Sequence, residues 1–272
     1  MIPAAFDYKR AGSADEAVAL LVEHGDEAKL LAGGMSLLPL MKLRLATPAV
    51  VVDVGRLRDL SYVRDAGDHV GIGALTRHRD LETSDVLGQH CAVLRSIAHE
   101  VGDPQVRHRG TIGGSVAHGD PASDLPGALL ALDATFVAHG RGGERTIEAR
   151  DMFGGFLETA LAPDELLTEI RVPKTGPGGF SYQKFQRRAQ DWAIVGVVAV
   201  RDGAARVGLV NMGPTPLRAG AVEEALAGGA SVAEAAERAA EGTEPPSDIN
   251  ASPEYREHLA RVLVRRALEA SS

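Results

Sequence analysis

Two short segments carry the residue types best suited to chemistry. Ala32-Gly33-Gly34-Met35-Ser36 and Thr111-Ile112-Gly113-Gly114-Ser115 each set two glycines just ahead of a serine. Glycine has no Cβ, so successive glycines let the backbone turn tightly and approach a ligand closely. Consecutive N–H groups can then converge on one anion. The first segment also opens a helix, whose leading amides favour phosphate. Ser36 and Ser115 each add a hydroxyl donor. Two such loops, with first glycines 80 positions apart (113 − 33), can grip both phosphates of a dinucleotide. Taken singly, a Gly-Gly pair is more often an ordinary turn. Neither segment fits G-x-G-x-x-G, and no P-loop pattern occurs.

Two other stretches hold charged groups in suggestive positions. His118-Gly119-Asp120-Pro121-Ala122-Ser123-Asp124 leads into an apolar helix. There Ser123 or Asp124 can cap the helix, or Asp124 can accept from a ribose or ring donor. One histidine and two aspartates on this loop lack a recognised metal-ligand spacing. In Gln183 to Ala193, Lys184, Arg187, Arg188 and the single tryptophan, Trp192, crowd together. This is either a solvated strand end with a core tryptophan, or a place where Lys184 meets the anionic side of a cofactor with Trp192 or Tyr182 near its ring.

The elements that must position these groups follow from pattern. Ser13 with Glu16 forms a capping box for a first helix that Gly25 stops. Lys29 to Ala32 is a short strand, Ser36 to Leu45 a helix with Pro39 in its first turn, and Val50 to Val54 a buried strand. Val70 to Leu75 predicts a strand, and Leu81 to Val86 and Val93 to Val101 predict helices. Leu125 to Leu132 predicts a helix and Thr135 to Ala138, Thr146 to Glu148 and Leu166 to Val172 predict strands. Pro173 to Gly179 is rich in proline and glycine and separates domains. Beyond it, Phe180 to Gln186, Ala193 to Arg201 and Ala205 to Asn211 read as a strand meander. Helices near 221–227 and 231–241 follow, and an amphipathic helix spans Tyr255 to Ala270.

Composition narrows the function classes. With 29 Lys plus Arg against 37 Asp plus Glu, the net charge of −8 gives no bulk attraction for nucleic acid or anionic membranes. An anionic ligand therefore needs a local device. The single cysteine, Cys91, excludes an internal disulfide and an iron–sulfur cluster ligated within this chain, which needs about four thiolates; it reads as a small apolar core residue. No stretch of ~18 apolar residues predicts a membrane span, and no secretory leader is read, so the expected location is cytoplasmic.

The long motifs around both glycine pairs resemble a known family. Ala32-Gly-Gly-Met-Ser-Leu-Leu-Pro-Leu-Met-Lys-Leu-Arg-Leu-Ala46 and Arg109-Gly-Thr-Ile-Gly-Gly-Ser-Val-Ala-His-Gly-Asp-Pro-Ala-Ser-Asp124 are similar to the FAD-binding medium subunits of molybdenum hydroxylases. This is the family of the aerobic carbon monoxide dehydrogenase medium subunit and the xanthine dehydrogenase flavin domain. Gln183-Lys184-Phe185, Asp191 to Val197 and the helix from Tyr255 to Leu268 resemble it too, so the likeness covers nearly the whole chain.

The resemblance implies an α+β fold. A vanillyl-alcohol-oxidase-like FAD-binding domain of two subdomains (about 1–55 and 56–174) is followed by a smaller C-terminal α+β domain, 175–272, with an antiparallel sheet and helices. It implies FAD contacts from Ala32, Gly33, Gly34, Met35 and Ser36, and from Thr111, Ile112, Gly113, Gly114 and Ser115. Asp124 and Lys184 join them, with Leu166 or Leu167, placed just before a strand from Thr168 to Pro173. Relatives carry a polar residue where this chain has Met35, so only the backbone serves there. No catalytic residue and no metal ligand is expected on this chain.

The resemblance also implies partners. A large subunit carries a molybdopterin cofactor and selects the substrate, and a small subunit carries two [2Fe–2S] clusters. FAD on this chain relays electrons to an external acceptor, in a dimer of heterotrimers. Two other readings stay open at this point: a self-sufficient flavin oxidoreductase of the same fold, and a non-enzymatic nucleotide-binding assembly module.

Overall fold

The computed structural model describes residues 1–271. The chain opens with strand β1 (Asp7–Arg10), helix α1 (Ala14–His24), β2 (Ala28–Leu31), α2 (Leu37–Leu43) and β3 (Val50–Asp53). The apolar run of β3 makes it the central strand, paired in parallel with β1 and β2. Val50, Val51 and Val52 are buried, each stabilising by roughly 1.5–3 kcal/mol relative to exposure. Ser13 caps α1 by accepting from Glu16 N–H at 3.1 Å. The expected reciprocal half of the capping box is displaced by one residue, since the Glu16 carboxylate accepts from Gly12 N–H at 2.7 Å.

The next part contains β4 (Val63–Asp65), β5 (His69–Gly73), and the helices α3 (His78–Glu82), α4 (Asp85–His90), α5 (Ala92–Glu100), α6 (Pro104–Arg107), α7 (Ile112–His118) and α8 (Asp124–Ala131). After them come β6 (Thr135–Gly140), β7 (Gly143–Glu148), α9 (Ala149–Met152), β8 (Phe153–Gly155), β9 (Glu158–Thr159) and β10 (Leu166–Pro173). Five strands form an antiparallel sheet in the order β4-β5-β10-β6-β7. Its apolar face and helices α5, α7 and α8 enclose the largest core, with Ile72, Ile97, Leu129 and Phe136 fully buried. Two expectations need correction here. The helix from Leu81 to Val86 is two helices, because the Ser84 hydroxyl accepts from Leu87 N–H and starts α4 afresh. Leu166 and Leu167 lie within strand β10, as the strand expected from Leu166 to Val172 has it and not before it as the resemblance implied, since their pairing with His139 and Ala138 extends the ladder.

The last part is a meander followed by helices. Strands β11 (Phe180–Phe185), β12 (Val195–Arg201), β13 (Ala205–Val210) and β14 (Leu217–Arg218) pair in chain order. Helices α10 (Gly220–Ala227), α11 (Val232–Glu237) and α12 (Pro253–Ala270) cover one face of that sheet. Val198 and Val200 point the other way and enter the core of the preceding part. In α12, Arg256 is fully buried: it donates to the Ile194 carbonyl and pairs with Asp248. The α+β architecture with a C-terminal antiparallel sheet and helices is thus present.

Candidate functional site

The two glycine segments, distant in sequence, meet in space. A Cβ on Gly33 would lie 2.2 Å from the Arg109 carbonyl oxygen and 2.8 Å from Gly110 Cα. Only a residue without a side chain lets these backbones touch. Their internal hydrogen bonding differs. The first segment connects the end of β2 to α2, with Gly34 at a φ of 76°, in the left-handed region that favours glycine. Among the described residues, no acceptor takes the N–H of Gly33, Gly34, Met35 or Ser36. The Ser36 side chain caps nothing in α2. This leaves a run of unspent donors at one place, the arrangement an anionic group requires.

The second segment is not a loop. Thr111 is the N-cap of α7, and Gly113 and Gly114 form its first turn. The amides are spent internally: Ile112 N–H donates to Thr76 O at 3.0 Å, Gly113 N–H to Ala74 O at 2.8 Å and Ser115 N–H to Thr111 O at 3.1 Å. Gly114 N–H donates to Thr111 Oγ1 at 3.1 Å. A Cβ on Gly113 would meet Ala74 Cβ and Ala74 O, both at 2.6 Å, so this glycine serves close packing. The expectation of two equivalent amide nests is corrected accordingly. What the second segment presents outward is the partly exposed Ser115, whose Oγ lies 3.4 Å from His78 Nε2.

Asp124 and Lys184 are brought together, from α8 and β11. Lys184 Nζ donates to Asp124 Oδ2 at 2.9 Å and to the Glu100 carbonyl at 3.0 Å. Tyr182 Oη donates to Asp124 Oδ1 at 2.5 Å. Neither Ser123 nor Asp124 caps α8 through its side chain, because the Asp124 carboxyl turns inward to this cluster. Burial pushes the Asp124 carboxyl above its ordinary range, against the pull of the Lys184 ammonium and the Tyr182 hydroxyl. Burial and the neighbouring Asp124 raise the Tyr182 phenol well above its usual value. Two of the three Lys184 donors are engaged within the chain.

The remaining expected residues are more dispersed. Leu166 is buried in the N-terminal core and Leu167 in the large core. Met35 is exposed. Trp192 is 61% exposed and is no core residue. It stands at a groove of about 750 Å³ with Asp120, Phe156, Arg187, Asn211 and Arg256. Cys91 is buried, which pushes its thiol up to about 11 and makes it unreactive. Among the described residues, no group of three or more His, Cys, Asp or Glu side chains could hold a metal ion. Among the described residues, no helix is long and apolar enough to cross a membrane.

Residues that the sequence did not mark support the second segment. His78 is buried under it. Glu82 pairs with Arg79, Arg107 and His99. Burial would raise the Glu82 carboxyl, but these partners outweigh it and hold it down at about 2. Within its own helix Glu82 has only the Arg79 pair; Arg107 and His99, like the contacts of His78, come from other elements that no local spacing signals.

Similarity to known proteins agrees with this geometry. The family described as the FAD binding domain in molybdopterin dehydrogenase matches residues 4–175, and the carbon monoxide dehydrogenase flavoprotein C-terminal domain matches residues 180–271. The carbon monoxide dehydrogenase medium chain of Hydrogenophaga pseudoflava is 42% identical over 282 residues, covering 100% of this chain and 98% of that one. The 6-hydroxypseudooxynicotine dehydrogenase complex subunit alpha of Paenarthrobacter nicotinovorans is 37% identical, covering 98% of this chain and 95% of that one. A solved structure of the Hydrogenophaga pseudoflava carbon monoxide dehydrogenase superposes with a TM-score of 0.95 at 43% identity, covering 100% of this chain and 98% of that chain.

Proposed function

We propose, from the premise that this chain belongs to the family of FAD-binding subunits of molybdopterin dehydrogenases, that it is the medium subunit of a carbon monoxide dehydrogenase-like molybdenum hydroxylase. Bound FAD supplies the electron exchange; this chain binds the cofactor, orients it and shields it. Electrons arrive from [2Fe–2S] clusters on a small subunit, after substrate oxidation at the molybdopterin cofactor of a large subunit, and leave to an external acceptor. A chain with Cys91 as its only cysteine has to receive them from clusters held elsewhere. We further propose a dimer of heterotrimers in the cytoplasm.

The observation that carries this reading is the set of unspent amides from Gly33 to Ser36, set against the second glycine segment. In it, the amides of Ala32 to Ser36 hold the FAD phosphates, with Met35 contributing backbone only. Thr111 to Ser115 present the Ser115 hydroxyl from the other side. Asp124 and Lys184 supply polar contacts, and Leu166 and Leu167 back the apolar part of the site. The chain divides at residue 174 into the FAD-binding part, with subdomains of about 1–55 and 56–174, and a C-terminal part, 175–272.

The test uses the complex purified with its natural partners. It should carry about one FAD per medium subunit, with the flavin absorbance bleached by carbon monoxide under anaerobic conditions. An assembled complex that yields no FAD on denaturation would sink the proposal. Bleaching of the isolated chain by carbon monoxide would instead make it a self-sufficient flavin enzyme.

A further inference from the structure

His78 lies outside the two glycine motifs, yet it is tied to the second one at two points. Its backbone N–H donates to Gly110 O at 3.0 Å, and its Nε2 lies 3.4 Å from Ser115 Oγ. The ring occupies space that only a glycine at position 110 leaves open, since a Cβ there would lie 2.8 Å from His78 Cδ2. The side chain is 3% exposed. Its Nδ1 is buried and, among the described residues, has no hydrogen-bond partner.

That orphaned nitrogen selects the tautomer. A ring protonated at Nδ1 would bury an N–H donor without an acceptor, which costs more than burying a bare lone pair. The Nε2–H form leaves only the lone pair unpaired. Burial, reinforced by the Arg107 guanidinium, pushes the His78 pKa down to about 4, so the ring is neutral near pH 7. The direction of the bond to Ser115 follows. A serine hydroxyl has one hydrogen and two lone pairs. If Nε2–H donates to Ser115 Oγ, that hydrogen is not used inward.

We propose that His78 is a positioning residue for the cofactor: it donates from Nε2 to Ser115 Oγ and so aims the Ser115 hydroxyl hydrogen outward, at a phosphate oxygen of FAD. The proposal rests on the reading that Ser115 contacts FAD. It assigns to the second segment a hydroxyl donor of fixed polarity in place of the amides that segment has already spent.

The test titrates FAD into the FAD-depleted full chain and follows flavin fluorescence. Ser115→Ala and His78→Leu should each weaken binding by roughly tenfold, the loss of one good hydrogen bond. The double variant should be no more than about twofold weaker than either single one, because both remove the same interaction. His78→Gln, whose amide nitrogen donates from nearly the same place, should stay within about threefold of the parent. Unchanged binding in Ser115→Ala overturns the FAD contact itself, and the proposal with it. Weakened binding in Ser115→Ala with unchanged binding in His78→Leu, or losses that multiply in the double variant, overturns the role of His78 alone. Nitrogen-15 spectra of the histidine rings in the unsubstituted chain decide independently of how any variant folds: an Nε2–H signal for His78 supports the proposal, and an Nδ1–H signal overturns it.

Discussion

The two glycine segments look alike in sequence and do opposite things with their backbones. The first leaves the amides of Gly33, Gly34, Met35 and Ser36 without acceptors among the described residues. The second commits those of Ile112, Gly113, Gly114 and Ser115 to carbonyls of Ala74, Thr76 and Thr111 and to the Thr111 hydroxyl. On the proposed reading the first is a receptor for an anionic group, and the second is a buttress that carries the Ser115 hydroxyl. A glycine pair thus marks close backbone approach in both places, and only the hydrogen-bond inventory tells approach to a ligand from approach to the protein.

The largest expected contrast is in amide exchange. Amides from Gly33 to Ser36 should exchange rapidly in the FAD-free chain and become protected when FAD binds, whereas those from Gly113 to Ser115 should be protected throughout. Equal protection of both segments before FAD is added would erase the distinction.

The buttress should also fail with acid before the receptor does. His78 titrates at about 4 in the folded chain, below the ~6.5 of an unfolded histidine. Between those values the unfolded chain binds more protons, so stability is full above about pH 6.5 and falls as the pH drops towards 4. Between pH 6.5 and 5 this amounts to about 2 kcal/mol. Denaturant titrations at the two pH values should show that loss in the parent and little of it in His78→Gln. Identical losses would remove His78 as the cause.

Smaller effects separate packing from binding. Gly113→Ala places a Cβ 2.6 Å from Ala74 and should destabilise even the FAD-free chain by about 1–3 kcal/mol. Met35→Gln, at an exposed position, should change stability by less than about 0.5 kcal/mol and leave FAD bound. Loss of FAD from Met35→Gln would show that the receptor depends on that side chain after all.

How much of this was legible depends on where the deciding partner lies in the sequence. The strand at Val50 and the helix capped by Ser13 announce themselves, because their causes are local. The helix through Gly113 and Gly114 does not. Two glycines argue against a helix by propensity; the Thr111 cap and carbonyls from residues 74 and 76 decide otherwise. Strand β1, Asp7–Arg10, is exposed along its length and shows no apolar pattern, so its parallel pairing with β3 is visible only in three dimensions. Lys184 and Asp124 were singled out separately, yet nothing in their spacing showed that they would pair. Arg256 falls in the helix expected from Tyr255 to Ala270, and nothing local shows that its charge is buried against the Ile194 carbonyl and Asp248.

The Lys184 ammonium has a consequence for modularity. It sits on the C-terminal sheet while its partners, Asp124 and the Glu100 carbonyl, belong to helices α8 and α5. Val198 and Val200 from the same sheet fill the core of the preceding part. The proline- and glycine-rich stretch near residue 175 is therefore a seam in the chain that the packing does not respect. A chimera joined there would inherit half of a buried ion pair and half of a hydrophobic core. Exchange between relatives should succeed only when Asp124, Tyr182 and Lys184 travel as one inherited unit.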